Sequence, residues 1–412
     1  MRSPDRRVAL AVTLVGGLAF VVVAALLVPW HPVPGGMPSP AHPASVLTPE
    51  EIDRAEDYAR WTRVLGWSST LVSLAVACLL GFTSWGRRLV ARLPGWWWVR
   101  VLLAVALVEV IGRLVTLPFA VLARRRAIDH GLTDQAWSGF ARDLALNQGV
   151  NVVAVSAVLI VLIGCARRWE RAWPAVAAGI LGALVLAGSF VYPVLVEPLF
   201  NSFSSLEDGD LRSQVFEIAE REGVPIDDVL VADASRRTTT LNAYVSGFGS
   251  TRRVVLYDNL VEDVPQDQVL SVVAHELAHA QHDDVLTGSL LGVAGAVFGV
   301  GLLGLVVGAL GPRRGLSMRD PAVVPLVLAL LAVGTLLSSP VQNGISRQIE
   351  ARADVDAIEV TGDAAAFMAV QRQLMVRSLA DPTPPGWAHF WFGSHPTGMQ
   401  RIAIARQLQA QE

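Results

Sequence analysis

The sequence predicts a mainly α-helical membrane protein in which several bilayer spans carry a small α+β domain that is itself split by a transmembrane hairpin. Of its 412 residues, 52% are hydrophobic and only 17% are charged, a composition typical of polytopic membrane proteins. Apolar runs close to the ~20 residues that a spanning helix needs recur along the chain. One polar stretch, 197–283, interrupts these runs and is long enough to fold as a small domain.

Seven apolar segments are long enough to cross a bilayer, which predicts a seven-helix membrane protein. Their bounds are 8–28, 65–85, 101–123, 149–165, 174–196, 284–310 and 321–341. The first segment follows three arginines like a signal peptide, but its apolar run is too long for a cleaved signal, so we expect it to be retained. The Trp96-Trp97-Trp98 run before the third segment is typical of an interfacial aromatic belt.

The polar stretch has the pattern of a small α+β unit. Residues 210–223 have the spacing of an amphipathic helix, and Val229-Leu230-Val231 follows as a strand. Residues 242–248 and 252–258 then alternate as two strands around a turn that contains Gly247. The unit is therefore expected to place one helix and a small sheet before the next helical segment.

The helix that begins at Pro265 carries His275-Glu276-Leu277-Ala278-His279, and proline is favoured in a helix's first turn. At 3.6 residues per turn, histidines four residues apart share one face, so both imidazoles can reach one tetrahedral ion. Glu276 is rotated by about 100° and reaches past that ion. There it can take a proton from zinc-activated water. The spacing indicates a zinc-peptidase site rather than two unconnected polar histidines.

A catalytic zinc site needs a third protein ligand. His282 lies one turn beyond His279, but three histidines on consecutive turns of one helix cannot readily surround an ion, so we interpret His282 as a helix-end residue. Glu350 is the better candidate, because His-His-Glu is an established catalytic set. Asp354, one turn later, can accept the remaining ring N–H of a ligand histidine. The alternative is a solvated acidic helix with ordinary charge pairs.

These assignments divide the chain into four parts. Residues 1–196 are expected to form a five-span membrane region, and 197–283 the peptidase domain with the motif helix. Residues 284–341 supply spans six and seven, and 342–412 supply the C-terminal part of the peptidase domain with the third ligand. The α+β zinc-peptidase domain is therefore split by a transmembrane hairpin.

Several further motifs occur in a fixed order along the chain. They are Glu197-Pro198-Leu199-Phe200-Asn201, Asn242-Ala243-Tyr244, Gly247-Phe248-Gly249, Arg253-Val254-Val255-Leu256-Tyr257-Asp258, the Ser-Arg-x-x-Glu-x-x-Ala-Asp segment at 346–354, and Ser394-His395-Pro396 with Arg401-Ile402. Together with the histidine motif, they resemble the CAAX prenyl protease 1 family of integral-membrane zinc metallopeptidases, from about Glu197 to Arg401. The seven spans and the divided metal site also look like this family.

The resemblance implies the metal chemistry and the reaction. His275, His279 and Glu350 would be the ligands of one zinc per chain, and Glu276 would be the catalytic base. The expected activity is endopeptidase hydrolysis of peptide bonds by zinc-activated water. The expected substrate is a peptide or protein that is prenylated or bound to the membrane.

The resemblance also implies roles around the metal. Asn242, with Ala243 and Tyr244, would bind the substrate backbone on an edge strand. His395 and Arg401 would assist near the reacting carbonyl, where cationic or N–H donors stabilise a developing oxyanion.

The chain departs from the family's pattern in two places. Thr397 stands where a second proline usually follows Ser-His-Pro, and the loop 233–240 lacks the histidine that usually precedes the asparagine. These departures concern substrate preference and leave the zinc chemistry unchanged.

Two other functions remain open from the sequence. A heat-shock-type metallopeptidase for quality control of membrane proteins would share the histidine motif and the distal glutamate. A transporter or scaffold would hold zinc only as a structural ion. Glu276 separates that last alternative from an enzyme, because a structural site has four protein ligands and needs no general base.

Charge and composition bear on location. All 33 basic residues are arginine, a bias that suggests a GC-rich bacterial genome, so we expect a plasma-membrane protein embedded in the lipid bilayer. A net charge of −3 favours no nucleic-acid partner. The arginine-richer loops lie on the side opposite the motif, which by the positive-inside rule would place the motif outside. The family resemblance places it in the cytoplasm, and this is the side we expect.

Polar and sulfur-containing residues inside the spans give two further expectations. Glu109 and Arg113 lie four residues apart in the third span, where charges are costly and are functional candidates by default. They would either pair with each other or face the hydrated chamber that the family's helices enclose. Cys78 and Cys165 have no zinc-ligand spacing, so neither a disulfide nor a cysteine-ligated metal is expected.

Overall fold

The computed structural model describes residues 4–247 and 249–411, apart from the side chains of Phe190, Pro193, Val194 and Ser250. Phe248, which belongs to the Gly-Phe-Gly motif and to the predicted strand 242–248, lies outside the described residues. The described chain is mostly helical and contains one four-stranded sheet. The predicted class, a mainly α membrane protein with a small α+β part, is confirmed.

Long helices precede and follow a central α+β segment. The first six helices are α1 (Pro4–Leu27), α2 (Pro49–Phe82), α3 (Ser84–Ala91), α4 (Trp97–Asp129), α5 (Trp137–Arg168) and α6 (Trp173–Leu195). The central segment contains β1 (Phe203–Ser205), α7 (Asp210–Arg221), β2 (Asp228–Ala232), β3 (Ala243–Ser246), β4 (Arg253–Tyr257), α8 (Asp258–Asp263) and α9 (Gln266–Gln281). The last helices are α10 (Asp284–Leu310), α11 (Val324–Thr361), α12 (Ala364–Ser378), α13 (Gly386–Phe392) and α14 (Gly398–Gln409).

The membrane part is built from the long apolar helices. Within the described ranges, six helices have the length and hydropathy to cross a bilayer. The predicted fifth span falls on α6, whose described apolar stretch Trp173–Ser189 is shorter than the others. The number of seven spans therefore stays a prediction. Helix α1 packs against α10. Five further pairs of helices pack against each other: α10 and α6, α6 and α5, α5 and α4, α4 and α2, and α2 and α11.

Helix α11 connects the membrane part to the α+β part. It runs without a break from the predicted seventh span, through Pro340, to Thr361. Its 38 residues correspond to about 57 Å at 1.5 Å per residue, whereas the apolar core of a bilayer is only about 30 Å thick. The helix therefore extends beyond the bilayer, and Glu350 and Asp354 lie on its outer turns.

The sheet has the strand order β1-β2-β4-β3, with β2 and β4 parallel and the two outer pairs antiparallel. The three predicted strands are present, whereas the short β1 was not predicted. Gly247 follows β3 with φ of +93°, and a Cβ added there would lie 2.3 Å from the carbonyl oxygen of Thr251. Only glycine fits this turn without strain. Strand β3 is thereby left at the sheet edge, where it packs against α9.

The core of the α+β part also takes residues from the N-terminal region. Val33 is buried in the main hydrophobic cluster of this part, and Leu47 is buried in a second cluster with Met399. The backbone N–H of Ala41 donates to the carbonyl oxygen of Met399 over 3.0 Å. The segment 28–48 thus packs on the C-terminal helices, although the sequence had assigned it to the five-span region.

The charged pair of the third span lies in a network between α4 and α5. Arg113 Nε donates to Gln148 Oε1 over 2.9 Å, and Gln148 Nε2 donates to Glu109 Oε2 over 3.3 Å. Asn151 Nδ2 also donates to Glu109 Oε2, over 2.9 Å. Glu109 and Arg113 are therefore bridged by Gln148 instead of forming the self-paired contact that was one of the two expectations.

Glu222 gives a prediction about stability. Its side chain is 5% exposed, and neither carboxylate oxygen has a hydrogen-bond partner. Burial, with a contribution from Asp356, raises the pKa of Glu222 to about 7. In the unfolded chain this carboxyl ionises near pH 4.5, so its ionisation opposes folding increasingly as the pH rises from there to about 7.

We therefore expect Glu222→Gln to raise the Tm in detergent by about 2 °C or more at pH 8, and to have little effect at pH 4.5. The exposed Glu220→Gln variant is the matched control and should leave the Tm unchanged at both pH values. Intrinsic fluorescence during heating measures the Tm of each variant at each pH. A Glu222→Gln effect that is equal at the two pH values would contradict the assignment.

Candidate active site

Helix α9 presents the histidine motif to a cavity of about 450 Å³. Pro265 precedes its first turn, and Val269, Val273 and Leu277 are buried in the core of the α+β part on its opposite side. This amphipathic pattern fixes the rotation of the helix. The remaining walls of the cavity come from β3, the first turn of α10, α11 and the loop before α14.

Three side chains of the cavity converge on one point. His275, His279 and Glu350 each offer a ligand atom, and these atoms lie within 4.8 Å of one another. His275 Nε2 is 3.3 Å from Glu350 Oε2, and His279 Nε2 is 3.8 Å from Glu350 Oε1. Glu350 Oε2 is buried without a hydrogen-bond partner. A buried, unpaired carboxylate oxygen beside two imidazole nitrogens is the arrangement that a metal ion satisfies.

A carboxylate fixes the far side of each histidine ring. His275 Nδ1 lies 3.1 Å from Asp354 Oδ1, and His279 Nδ1 lies 2.9 Å from Asp284 Oδ2. In the neutral tautomer that donates Nδ1–H to its carboxylate, each ring offers its Nε2 lone pair to a metal ion. The two ring centroids are 4.9 Å apart at an interplanar angle of 88°.

An arginine holds each of these carboxylates. Arg401 Nε donates to both oxygens of Asp354, over 3.0 and 2.9 Å, and Arg352 forms an ion pair with Asp284. Asp354 is fully buried, and a buried carboxylate is costly unless it is paired. These contacts form two chains, Arg401–Asp354–His275 and Arg352–Asp284–His279, and we call each chain a relay. Each relay ends at the Nε2 atom that faces Glu350.

The position of Arg401 corrects a sequence-based expectation. The guanidinium was expected beside the reacting carbonyl, but it lies behind His275, with Nη2 3.3 Å from the Nδ1 of that ring. It is not among the residues that line the cavity. The physical reason is Asp354, whose buried charge binds the guanidinium before any substrate could.

His395 lies on the open side of the cavity. Its Nε2 is 3.3 Å from Glu350 Oε1, and Ser394 Oγ lies 2.9 Å from its Nδ1. Burial lowers the pKa of His395, although the carboxylate of Glu350 acts in the opposite direction. The ring has 56% of its side-chain surface exposed, so a bound molecule can reach it.

The carboxylates around α9 favour a positive charge where the ligand atoms converge, which a proton or a metal ion can supply. Burial alone would lower the pKa of His275, but the Asp354 and Glu350 carboxylates outweigh it and raise the pKa to about 10. Burial raises the pKa of Glu276 above its ordinary value, whereas His275 and His279 act in the opposite direction. Glu276 also lines the cavity, beside the converging ligand atoms but outside their group.

The predicted substrate-binding residues line the same cavity. Asn242, Ala243 and Tyr244 form one wall, at the start of the edge strand β3. The carbonyl oxygen of Asn242 accepts a hydrogen bond from the Tyr257 N–H over 3.1 Å. His282 follows the end of α9, where its Nε2 lies 2.9 Å from Asp356 Oδ2. It lies outside the metal-ligand group, as predicted.

Sequence reasoning missed Asp284 and Arg352. Asp284 lies five residues after His279, across the end of α9, where Asp283 adopts a left-handed conformation with φ of 50°. Helical periodicity does not extend across such a break. The only available signal was an acidic residue close behind the second histidine.

Two family models match consecutive parts of the chain. The model described as "CAAX prenyl protease N-terminal, five membrane helices" matches residues 36–202, and "Peptidase family M48" matches residues 205–409. The chain belongs to peptidase family M48. It is therefore a membrane metalloprotease, and the two alternatives of a heat-shock-type quality-control enzyme and a non-enzymatic transporter or scaffold are not favoured.

Individual relatives agree with this family. The "Uncharacterized metalloprotease YhfN" of Bacillus subtilis is 28% identical over 384 residues, which are 89% of this chain and 88% of that protein. A "CAAX prenyl protease 1 homolog" of Arabidopsis thaliana is 32% identical over 151 residues, 36% of each chain. The crystal structure of S. mikatae Ste24p has the same fold, with a TM-score of 0.79 at 18% identity over 98% of both chains.

The relay through Asp284 predicts an effect on metal affinity. Asp284→Asn removes the negative charge behind His279, so we expect zinc affinity to fall about 10- to 100-fold, as for other partners of ligand histidines. Competition with a chromophoric chelator measures the dissociation constant. The neighbouring Asp283→Asn is the matched control, because Asp283 lines the cavity but pairs with Arg252 and not with a histidine. Equal affinities in both variants would refute the relay.

Proposed function

We propose that this M48 peptidase is a zinc endopeptidase that holds one zinc per chain between His275, His279 and Glu350. The convergence of these three ligand atoms within 4.8 Å carries the proposal. The unpaired Glu350 Oε2 and the two carboxylate-fixed rings support it, because two histidines and one glutamate form a catalytic zinc set that leaves a position open for water. Bound there, zinc supplies Lewis-acid activation of water and of the scissile carbonyl.

The other side chains supply proton transfer and charge stabilisation. Glu276 accepts a proton from the attacking water and delivers it to the departing amine as the carbon–nitrogen bond breaks. The raised pKa of its carboxyl favours a group that both accepts and returns a proton. His395 faces the open cavity and donates to the oxyanion that forms on the carbonyl oxygen when water attacks the carbonyl carbon. Arg401 acts indirectly, by holding Asp354 against His275.

The substrate is a polypeptide that binds in extended form along β3. This strand lines the cavity at Asn242, Ala243 and Tyr244. Because the Asn242 carbonyl is paired with β4, the alternation of an antiparallel ladder leaves the backbone groups of Ala243 and Val245 for an added substrate strand. Val285 and Leu286, in the first turn of the spanning helix α10, form an apolar wall. Their position supports a membrane-bound or prenylated substrate, and relatives named CAAX prenyl protease 1 support the prenylated C-terminal class.

The proposed location is the plasma membrane of a bacterium, with the catalytic part on the cytoplasmic side. The arginine-only basic composition and the similarity to a Bacillus subtilis protein along most of both chains support the source. The resemblance to the CAAX prenyl protease 1 family supports the cytoplasmic side for the catalytic part.

The decisive variant is Glu276→Gln. It keeps the size and polarity of the side chain but cannot accept the proton, so kcat should fall at least about 100-fold while about one zinc per chain remains bound. Purified proteins in detergent are assayed for metal content and for cleavage of quenched peptides with and without a C-terminal farnesyl group. The exposed Glu262→Gln variant is the control and should match wild type.

Three outcomes separate the parts of the proposal. Equal cleavage by wild type and Glu276→Gln would refute the assigned mechanism. Cleavage of the unprenylated peptide alone would keep the endopeptidase and refute the prenylated substrate class. A wild-type protein without zinc at equimolar supply would refute the metal assignment.

A further inference from the structure

The edge strand β3 is held to the sheet from one side only. It has four residues, Ala243–Ser246, and its ladder runs to β4 alone. The opposite edge faces the catalytic cavity, where a substrate strand would add. A short strand with a single partner is poorly fixed by its ladder hydrogen bonds. Its distance from the ligand atoms therefore depends on what its side chains contact.

Tyr244 ties this strand to the end of a membrane helix. Its hydroxyl donates a hydrogen bond to Glu197 Oε2 over 3.2 Å. Glu197 begins the single 3₁₀ turn that follows α6 directly in the chain. The contact thus joins residues 47 positions apart, and connects the last predicted span of the N-terminal region to the strand that lines the cavity.

The charge state of the pair favours this hydrogen bond. Burial and the nearby Glu197 carboxylate raise the pKa of Tyr244, so the phenol keeps its proton and donates. Burial raises the pKa of Glu197, while the hydrogen bond from Tyr244 and the charge of Arg253 act in the opposite direction. A partly desolvated acceptor makes a stronger hydrogen bond than one in water.

We propose that Glu197 is a positioning residue for substrate binding: through the Tyr244 hydroxyl it holds the outer edge of β3 at the distance from the metal ligands that an extended substrate requires. The proposal rests on the proposed endopeptidase function and deepens it. Glu197 does not line the cavity, so it acts only through Tyr244.

This role has a kinetic signature. Backbone hydrogen bonds between substrate and β3 form on binding and persist in the transition state, so a misplaced strand weakens both states equally. Such a change raises KM and leaves kcat unaltered. A general loss of structure would instead lower kcat and metal content together.

The test compares Glu197→Ala, Glu197→Gln, Tyr244→Phe and the double variant Glu197→Ala/Tyr244→Phe. Loss of one hydrogen bond should raise KM about three- to tenfold in each of Glu197→Ala and Tyr244→Phe, with kcat within about twofold of wild type. The double variant should be no worse than either single variant, because both remove the same contact. Glu197→Gln retains an acceptor oxygen and should rescue KM.

The matched control is Tyr192→Phe, which removes an exposed phenol near the end of α6 whose hydroxyl makes no hydrogen bond to β3 among the described residues. Zinc content and Tm are measured for every variant. Hydrogen–deuterium exchange of residues 242–246 gives a readout that needs no catalysis, and exchange should rise in Glu197→Ala but not in Glu197→Gln.

The outcomes decide the proposal. Additive effects of the two single substitutions, a fall in kcat at constant KM, or a Glu197→Gln variant as impaired as Glu197→Ala would each overturn it. A wild-type protein that cleaves no peptide would refute the proposed function instead. In that case unchanged exchange in Glu197→Ala would overturn the positioning role as well, and increased exchange would uphold the contact that it requires.

Discussion

The bond between a carboxylate and the Nδ1–H of a ligand histidine is the contact on which the geometry of the site depends. Asp354 and Asp284 fix the rotation of His275 and His279, so both Nε2 atoms face Glu350 at 3.3 and 3.8 Å. Without these bonds, each imidazole could turn its other nitrogen to the cavity. Asp354 is fully buried and the side chain of Asp284 is 10% exposed, so an unpaired charge at either position is costly, and the arginines behind them offset that cost. The metal-binding atoms are thus the ends of two charged relays set into an apolar core.

These relays also couple the site to the membrane helices. The histidines come from α9, which lies in the peptidase core, but Asp284 begins α10 and Asp354 lies on the extension of α11. Both of these helices have the length and hydropathy of membrane spans. Because Val285, Leu286 and Ile349 of these helices also line the cavity, a displacement of α10 or α11 relative to α9 alters both the carboxylate–imidazole contacts and the cavity wall. The transmembrane hairpin that splits the peptidase domain is therefore a structural part of the catalytic centre.

The site residues that the sequence predicted and those that it missed differ in whether they share a helix. His275, Glu276 and His279 share one helix, and Glu350 and Asp354 share another, so a period of 3.6 residues was enough to place each set on one face. Asp284 was not predicted, because the left-handed conformation of Asp283 interrupts the helical period between His279 and Asp284. Arg401 was assigned to the cavity because its charge suited an oxyanion, whereas the complete burial of Asp354, which takes up that charge, is a property of tertiary packing. Residues 28–48 pack on the C-terminal helices, and this is likewise a long-range contact that no local sequence pattern predicts.

The most direct test of the account is X-ray absorption at the zinc edge of the purified wild-type protein, because it reports the ligand set itself. The account predicts about four light scatterers near 2.0 Å, with the outer-shell pattern of two imidazoles and the remaining ligands oxygen. Scattering from sulfur, or from three or more imidazoles, would contradict the assignment of His275, His279 and Glu350 and with it the role of both relays.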